Sequence, residues 1–194
     1  MSTGINIEHI YHRHGATIEY GLDSINLTLL QEAADTIIRA IAGGKNIFTC
    51  GNGASAAIAQ HWACDYTKGC SNLERGIKPR VISLSANIPL MTAISNDISY
   101  DDVYSHQLER LADPGDILIT ISSSGNSPNV VKAVEAAKKM SVTTIALTGF
   151  HGGKSRELCD IPIHVDVHEY EAAEDVHQAI MHMIAKYIRI KTNA

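Results

Sequence analysis

Apolar residues recur at helical spacing between Leu27 and Ala42, at Leu29, Leu30, Ala33, Ile37, Ile38 and Ile41, and the run stops at Gly43-Gly44. This predicts an amphipathic helix with a glycine stop. A weaker pattern from about Ile5 to Glu19 predicts a leading helix that packs away from the main core. Short apolar runs then alternate with helical patterns. Strands are predicted at 46–50, 80–84, 116–121, 142–147 and 161–165. Helices are predicted at 54–67, 88–95, 101–111 and 128–139, with a short turn near 153–158 and a final helix over 171–190. The runs Ile117 to Ile121 and Thr143 to Leu147 are apolar on both faces. Such strands belong to a parallel sheet covered by helices on each side, in which ligands bind beyond the carboxyl ends of the strands.

At 194 residues the chain fits one domain, 1–194, with no repeat, low-complexity tract or linker. The least regular stretch, Lys68 to Lys78, is expected to form a flexible loop at the mouth of the site. Sixteen Lys+Arg scattered through a chain of net charge −5 give no basic stripe for a nucleic-acid backbone. Nothing approaches the roughly 20 apolar residues of a membrane span, and Met1 to Ile10 lacks the pattern of a secretory leader. A cytoplasmic chain is expected. Cys50, Cys64, Cys70 and Cys159 form no C-x-x-C pair and are expected to be reduced thiols. Cys50 is a candidate nucleophile, but a small buried residue at a strand end is the better reading.

Chemistry concentrates in two loops, Cys50-Gly51-Asn52-Gly53-Ala54-Ser55 and Ser122-Ser123-Ser124-Gly125-Asn126-Ser127. Each follows a predicted strand and opens a helix. Glycine lets backbone approach a ligand closely, the first helical turn presents free N–H groups, and the helix dipole favours an anion. Serine hydroxyls add donors. Ordinary N-capping would use the same residue types. Two such loops in one small chain, the second with four serines in six residues, point to a phosphorylated ligand.

His61 and Asp65 stand four apart on the helix after the first loop and share a face, which suits two ligands to one metal ion or a plain exposed hydrogen bond. Trp62 and Tyr66 beside them read as packing residues. The last helix carries Glu171, Glu174, Asp175, His177 and His182. Acids in its first turn complement the dipole, which accounts for Glu171 and Asp175. Glu174 and His182 lie about 12 Å apart along an ideal helix, too far for simple convergence on one point. Either Glu174 reaches inward from the helix entrance, or two subunits each supply part of a site.

The segments Gly51 to Asp65, Asn96-Asp97, Ser122 to Ser127 and the His-bearing last helix together resemble the sugar isomerase (SIS) domain family, and within it the phosphoheptose isomerases. The likeness runs over nearly the whole chain. It implies a three-layer doubly wound α/β fold of flavodoxin type with extra N-terminal helices over 1–43 that build a homotetramer. It implies that Ser55, Ser122, Ser124 and Ser127, with Ser123 and Gly53, hold a sugar phosphate, and that Asn52 and Asp97 contact sugar hydroxyls or order the site. It implies a divalent metal, usually zinc, at His61, Asp65, Glu174 and His182. Two of these depart from the family pattern, which has Glu at position 65 and Gln at position 174.

The activity so implied is aldose–ketose isomerisation of sedoheptulose 7-phosphate to a heptose 7-phosphate through a cis-enediol. Asp65 or Glu174 would be the base and His182 the acid. Two other readings remain open at this point. One is a non-catalytic SIS protein that binds a sugar phosphate and associates with the replication initiator; the other is an isomerase of a different sugar phosphate.

Overall fold

Five strands, β1 (Asn46–Gly51), β2 (Arg80–Ser83), β3 (Ile117–Ser122), β4 (Thr143–Thr148) and β5 (Ile161–His164), form one sheet in the order β2-β1-β3-β4-β5, every pair parallel. The computed structural model describes residues 6–193, so Ile5, the first residue of the predicted leading helix, lies outside the described residues. The order reverses between β1 and β3. That reversal is where open α/β sheets leave a crevice for a ligand.

Alternation along the strands sorts the core into two layers. Ile47, Ile117, Ile119, Ile121, Ile145 and Leu147 face one side, with α2 (Leu27–Ala42), α3 (Ala54–Gly69) and α8 (Tyr170–Asn193) packed over them. Phe48, Cys50 and Leu118 face the other, against α4 (Ile88–Asp97), α5 (Ser105–Leu111) and α6 (Pro128–Lys139). The expected doubly wound arrangement is therefore present, with helices on both faces. The helix α1 (Ile7–Asp23) lies on α8, and α7 (Gly153–Leu158) bridges α6 and the β4–β5 edge. The buried Asp116 carboxylate fixes the entry to β1 and β3 by accepting from the Asn46 and Asp113 backbone N–H groups, both at 2.9 Å.

Two predicted segments differ. The helix expected over 101–111 starts only at Ser105, because the Ser99 hydroxyl accepts from Asp101 N and sets a separate 3-10 turn, Tyr100–Asp102. The 68–78 stretch begins inside α3 and then closes on itself through a bridge between Asn72 and Ile77. Arg75 donates to the Thr192 carbonyl and Cys70 Sγ lies 3.5 Å from the Ala185 carbonyl, so this loop rests on the C-terminal half of α8. Cys50 is fully buried and its thiol is pushed well above the ordinary range by burial, which suits a core residue and not a nucleophile. Trp62 and Tyr66 stack at 5.0 Å inside the core, as packing residues. Among the described residues no helix is long and apolar enough to cross a membrane.

Candidate active site

The β1–α3 and β3–α6 connections meet at the reversal of strand order and form a cleft of about 180 Å³ lined by Asn52, Ser55, Ile121, Ser122, Ser123, Ser124, Ser127, Tyr170 and Glu174. The ends of two helices point into it. At α1, α2 and α4 an asparagine cap accepts hydrogen bonds from the first turn. At α3 and α6 the cap residues, Gly53 and Ser127, make no side-chain cap bond. Plain capping therefore does not account for these two loops. In the first turns, Ala56 N donates to the Gly53 carbonyl and Val130 N to Ser127 O and Asn129 Oδ1, which leaves the N–H groups of Ala54, Ser55 and Asn129 for an anion in the cleft.

Glycine geometry forces this shape. Gly51 stands so close to its neighbours that a Cβ would meet the Ile121 carbonyl at 2.7 Å and Ser55 at 2.8 Å. Gly125 has φ +64°, and a Cβ there would lie 1.8 Å from the Gly152 carbonyl. The second loop is braced from behind: Ser155 N donates to the Gly125 carbonyl, Gly149 N to the Ser123 carbonyl and Lys154 N to Asn126 Oδ1. Ser55, Ser122 and Ser123 are buried, and Ser123 Oγ has no protein partner. An unpartnered buried hydroxyl is costly, and a ligand oxygen relieves that cost. The lining contains no lysine or arginine, so the cradle's donors are neutral.

Asn52 is held in place by residues that the sequence did not single out. Its amide exchanges two 2.9 Å hydrogen bonds with Asn129, while the Tyr104 and Tyr100 hydroxyls lie 2.9 and 3.1 Å from its Oδ1. Tyr104 is also 2.5 Å from the Gly51 carbonyl, to which the Ser85 hydroxyl donates at 2.9 Å.

A second constellation lies further along α3 and α8. His61 Nε2 is 3.2 Å from Asp65 Oδ1, His182 Nε2 is 3.8 Å from Asp65 Oδ2, and the imidazoles meet edge to face at 5.1 Å. One ligating atom from each of the three falls within 4.8 Å of the others. Two imidazoles and a carboxylate are the donor set of a three-ligand catalytic zinc site, so the residues fit such an ion. Gln178, one turn before His182 and overlooked in the sequence, puts its amide nitrogen 2.9 Å from His61 Nδ1 and 3.3 Å from His182 Nε2.

Glu174 was expected in this group and stands elsewhere: two turns up α8 it faces the serine cleft, where burial first, then Glu171 and Asp175, raise its carboxyl above the usual range. The separation along the helix accounts for that. Asp97 is the last residue of α4, exposed and bonded to Asn96, outside the cleft lining. Gly53, exposed at φ +57°, supplies backbone at the mouth. Asp175 pairs with His14 at 2.8 Å, a tie between α8 and α1.

The helices α3 and α8 run side by side in the same direction. Ser55 and Glu174 share the cleft, His61 meets Gln178, Asp65 meets His182, and Cys70 reaches Ala185. From cleft to imidazoles is thus about 9 Å of rise on α3 and about 12 Å on α8.

Relatives of known structure share this fold. The phosphoheptose isomerase GmhA from Neisseria gonorrhoeae superposes with a TM-score of 0.84 at 31% identity, covering 93% of this chain and 97% of that one. A phosphoheptose isomerase from Francisella tularensis gives 0.86 at 26% identity, covering 95% and 98%. In sequence, the phosphoheptose isomerase of Aliarcobacter butzleri is 40% identical over 159 residues, 82% of this chain and 83% of the relative. That of Shewanella denitrificans is 40% identical over 162 residues. Residues 16–149 match the SIS domain model. The chain belongs to the SIS domain family, in its phosphoheptose isomerase branch.

Proposed function

We propose that this chain interconverts sedoheptulose 7-phosphate and a heptose 7-phosphate. The observation that carries the reading is the pairing of a serine-lined anion cradle with a His/Asp cluster on the same two helices, one for each end of an open-chain sugar phosphate. The cradle fixes the phosphate through Ser55, Ser122, Ser123, Ser124 and Ser127, and binding energy from that remote group orients the carbonyl end. Asn52 faces the sugar hydroxyls. Asp65 takes the proton from the carbon next to the carbonyl while His182 protonates the carbonyl oxygen, which gives the enediol, and His182 then takes a proton back from the neighbouring hydroxyl. The base then delivers a proton to the neighbouring carbon, so the isomerisation consumes none.

A divalent cation, zinc by the donor set, would be held by His61, Asp65 and His182 and would polarise the substrate's oxygens. A protein that only bound sugar phosphates would not need the three donors together, and the relatives named above are isomerases. The same proposal includes a homotetramer. Its support is the apolar surface on the helices flanking the core, with Ile7, Tyr11 and Leu27 more than two-thirds exposed. It also places the chain in the cytoplasm as one domain, in keeping with four unpaired cysteines. The test is conversion of sedoheptulose 7-phosphate by purified protein, with zinc and with chelator. No turnover under either condition refutes the reading, and light scattering checks the assembly.

A further inference from the structure

Metal-bound histidines usually hand their second ring N–H to an acceptor, which fixes the tautomer that leaves the other nitrogen free for the ion. Among the described residues, the side chain at His61 Nδ1 is that of Gln178, whose amide nitrogen donates at 2.9 Å. In that arrangement the His61 proton rides on Nε2 and faces Asp65 Oδ1 at 3.2 Å. Ligation through Nε2 needs the proton on Nδ1 and an acceptor beside it. At His61 an amide meets either demand by a half-turn about its last torsion, which exchanges nitrogen for oxygen; the same amide atom lies 3.3 Å from His182 Nε2, so the turn also requires His182 to carry its proton on Nε2 and to offer Nδ1 to the ion. Leu, Lys or Arg at 178 could not do so.

We propose that Gln178 is the positioning residue of the cation site: its amide oxygen accepts from His61 Nδ1–H and directs Nε2 toward the ion. This rests on the cation reading of the His61, Asp65 and His182 cluster. Gln178 lies one helical turn from His182, is partly exposed, and packs no core, so its role is separable from folding.

The test measures zinc affinity by competition with a chromophoric chelator, together with nitrogen-15 shifts of the histidine rings, for the full-length protein and for Gln178→Leu and Gln178→Glu. Gln178→Leu should bind zinc about 10- to 100-fold more weakly, with its melting temperature unchanged. Gln178→Glu, which keeps the acceptor and loses the donor, should retain the affinity, and its zinc-loaded His61 should show the Nδ1–H form. Unchanged affinity in Gln178→Leu, or lost affinity in Gln178→Glu, overturns the inference. Wild-type protein that takes up no zinc, or a His61→Ala variant that binds it as tightly as wild type, instead removes the cation reading on which the inference stands.

Discussion

Asn52 and Asn129 clasp each other through two amide hydrogen bonds of 2.9 Å, one from the β1–α3 connection and one from the first turn of α6. The pair joins the two loops that line the cleft and leaves Asn52 a single orientation. Replacing Asn129 by Leu removes both bonds and strands the Asn52 amide nitrogen, while Oδ1 keeps the Tyr100 and Tyr104 hydroxyls, at a cost of about 1–3 kcal/mol. We expect KM for the sugar phosphate to rise and kcat to fall, with the sheet intact by circular dichroism. Unchanged kinetics would detach Asn129 from the site.

Asp65→Asn and Glu174→Gln should separate the two carboxylates. Asp65 sits among the imidazoles, so its amide loses about two to four orders of magnitude in kcat if it is the base. Glu174 faces the serines, where its charge opposes a phosphate. Glu174→Gln should keep turnover and zinc affinity and lower KM. Steady-state kinetics on both variants decide it; the opposite pattern makes Glu174 the base.

Gly125→Ala places a methyl group against the Gly152 carbonyl in a left-handed backbone. The loop has to move, and the penalty exceeds about 1 kcal/mol. Calorimetry should show a lower Tm, and phosphate affinity should drop with it. Gly53→Ala, where a Cβ meets nothing within 4 Å, pays the backbone strain alone and should be milder.

His177 is fully buried against the Thr148 backbone, and burial pulls its pKa down to about 4. The unfolded chain binds this proton below about 6.5, the folded chain only below about 4. Between these values the unfolded state holds more protons, so stability falls as pH drops, by up to about 1.4 kcal/mol per pH unit. The whole contribution is present above pH 6.5. His177→Leu removes the buried imidazole and should flatten the pH dependence of Tm in that window while leaving stability near neutral pH little changed. An unaltered slope would assign the acid sensitivity to other groups.

The parallel sheet and its helices could be read from periodicity because strands buried on both faces and helices with one apolar stripe leave unambiguous patterns; Ile117 to Ile121 and Leu29 to Ile41 are the clearest cases. The serine loops were legible for a related reason: glycines and serines at a strand-to-helix change are a local signal. What stayed hidden depends on contacts between distant segments. Asn129 and Tyr104 reach Asn52 from 77 and 52 residues away, and nothing in their own neighbourhoods marks that partner. Glu174 and His182 share a helix yet serve different ends of the site, as the helical rise requires. Gln178 was the avoidable omission, since its spacing from His182 already set the two on one face.

On the proposed reading, the alignment of α3 and α8 would make substrate length decisive. With a phosphate moored among the serines as proposed, only a molecule long enough to span the intervening turns would bring its carbonyl to the imidazoles. Ketose phosphates of seven, six and five carbons should therefore react in descending order, although each docks by the same hydroxyls. Selectivity of this kind needs no pocket shaped to the sugar: the yardstick is the pitch of two helices.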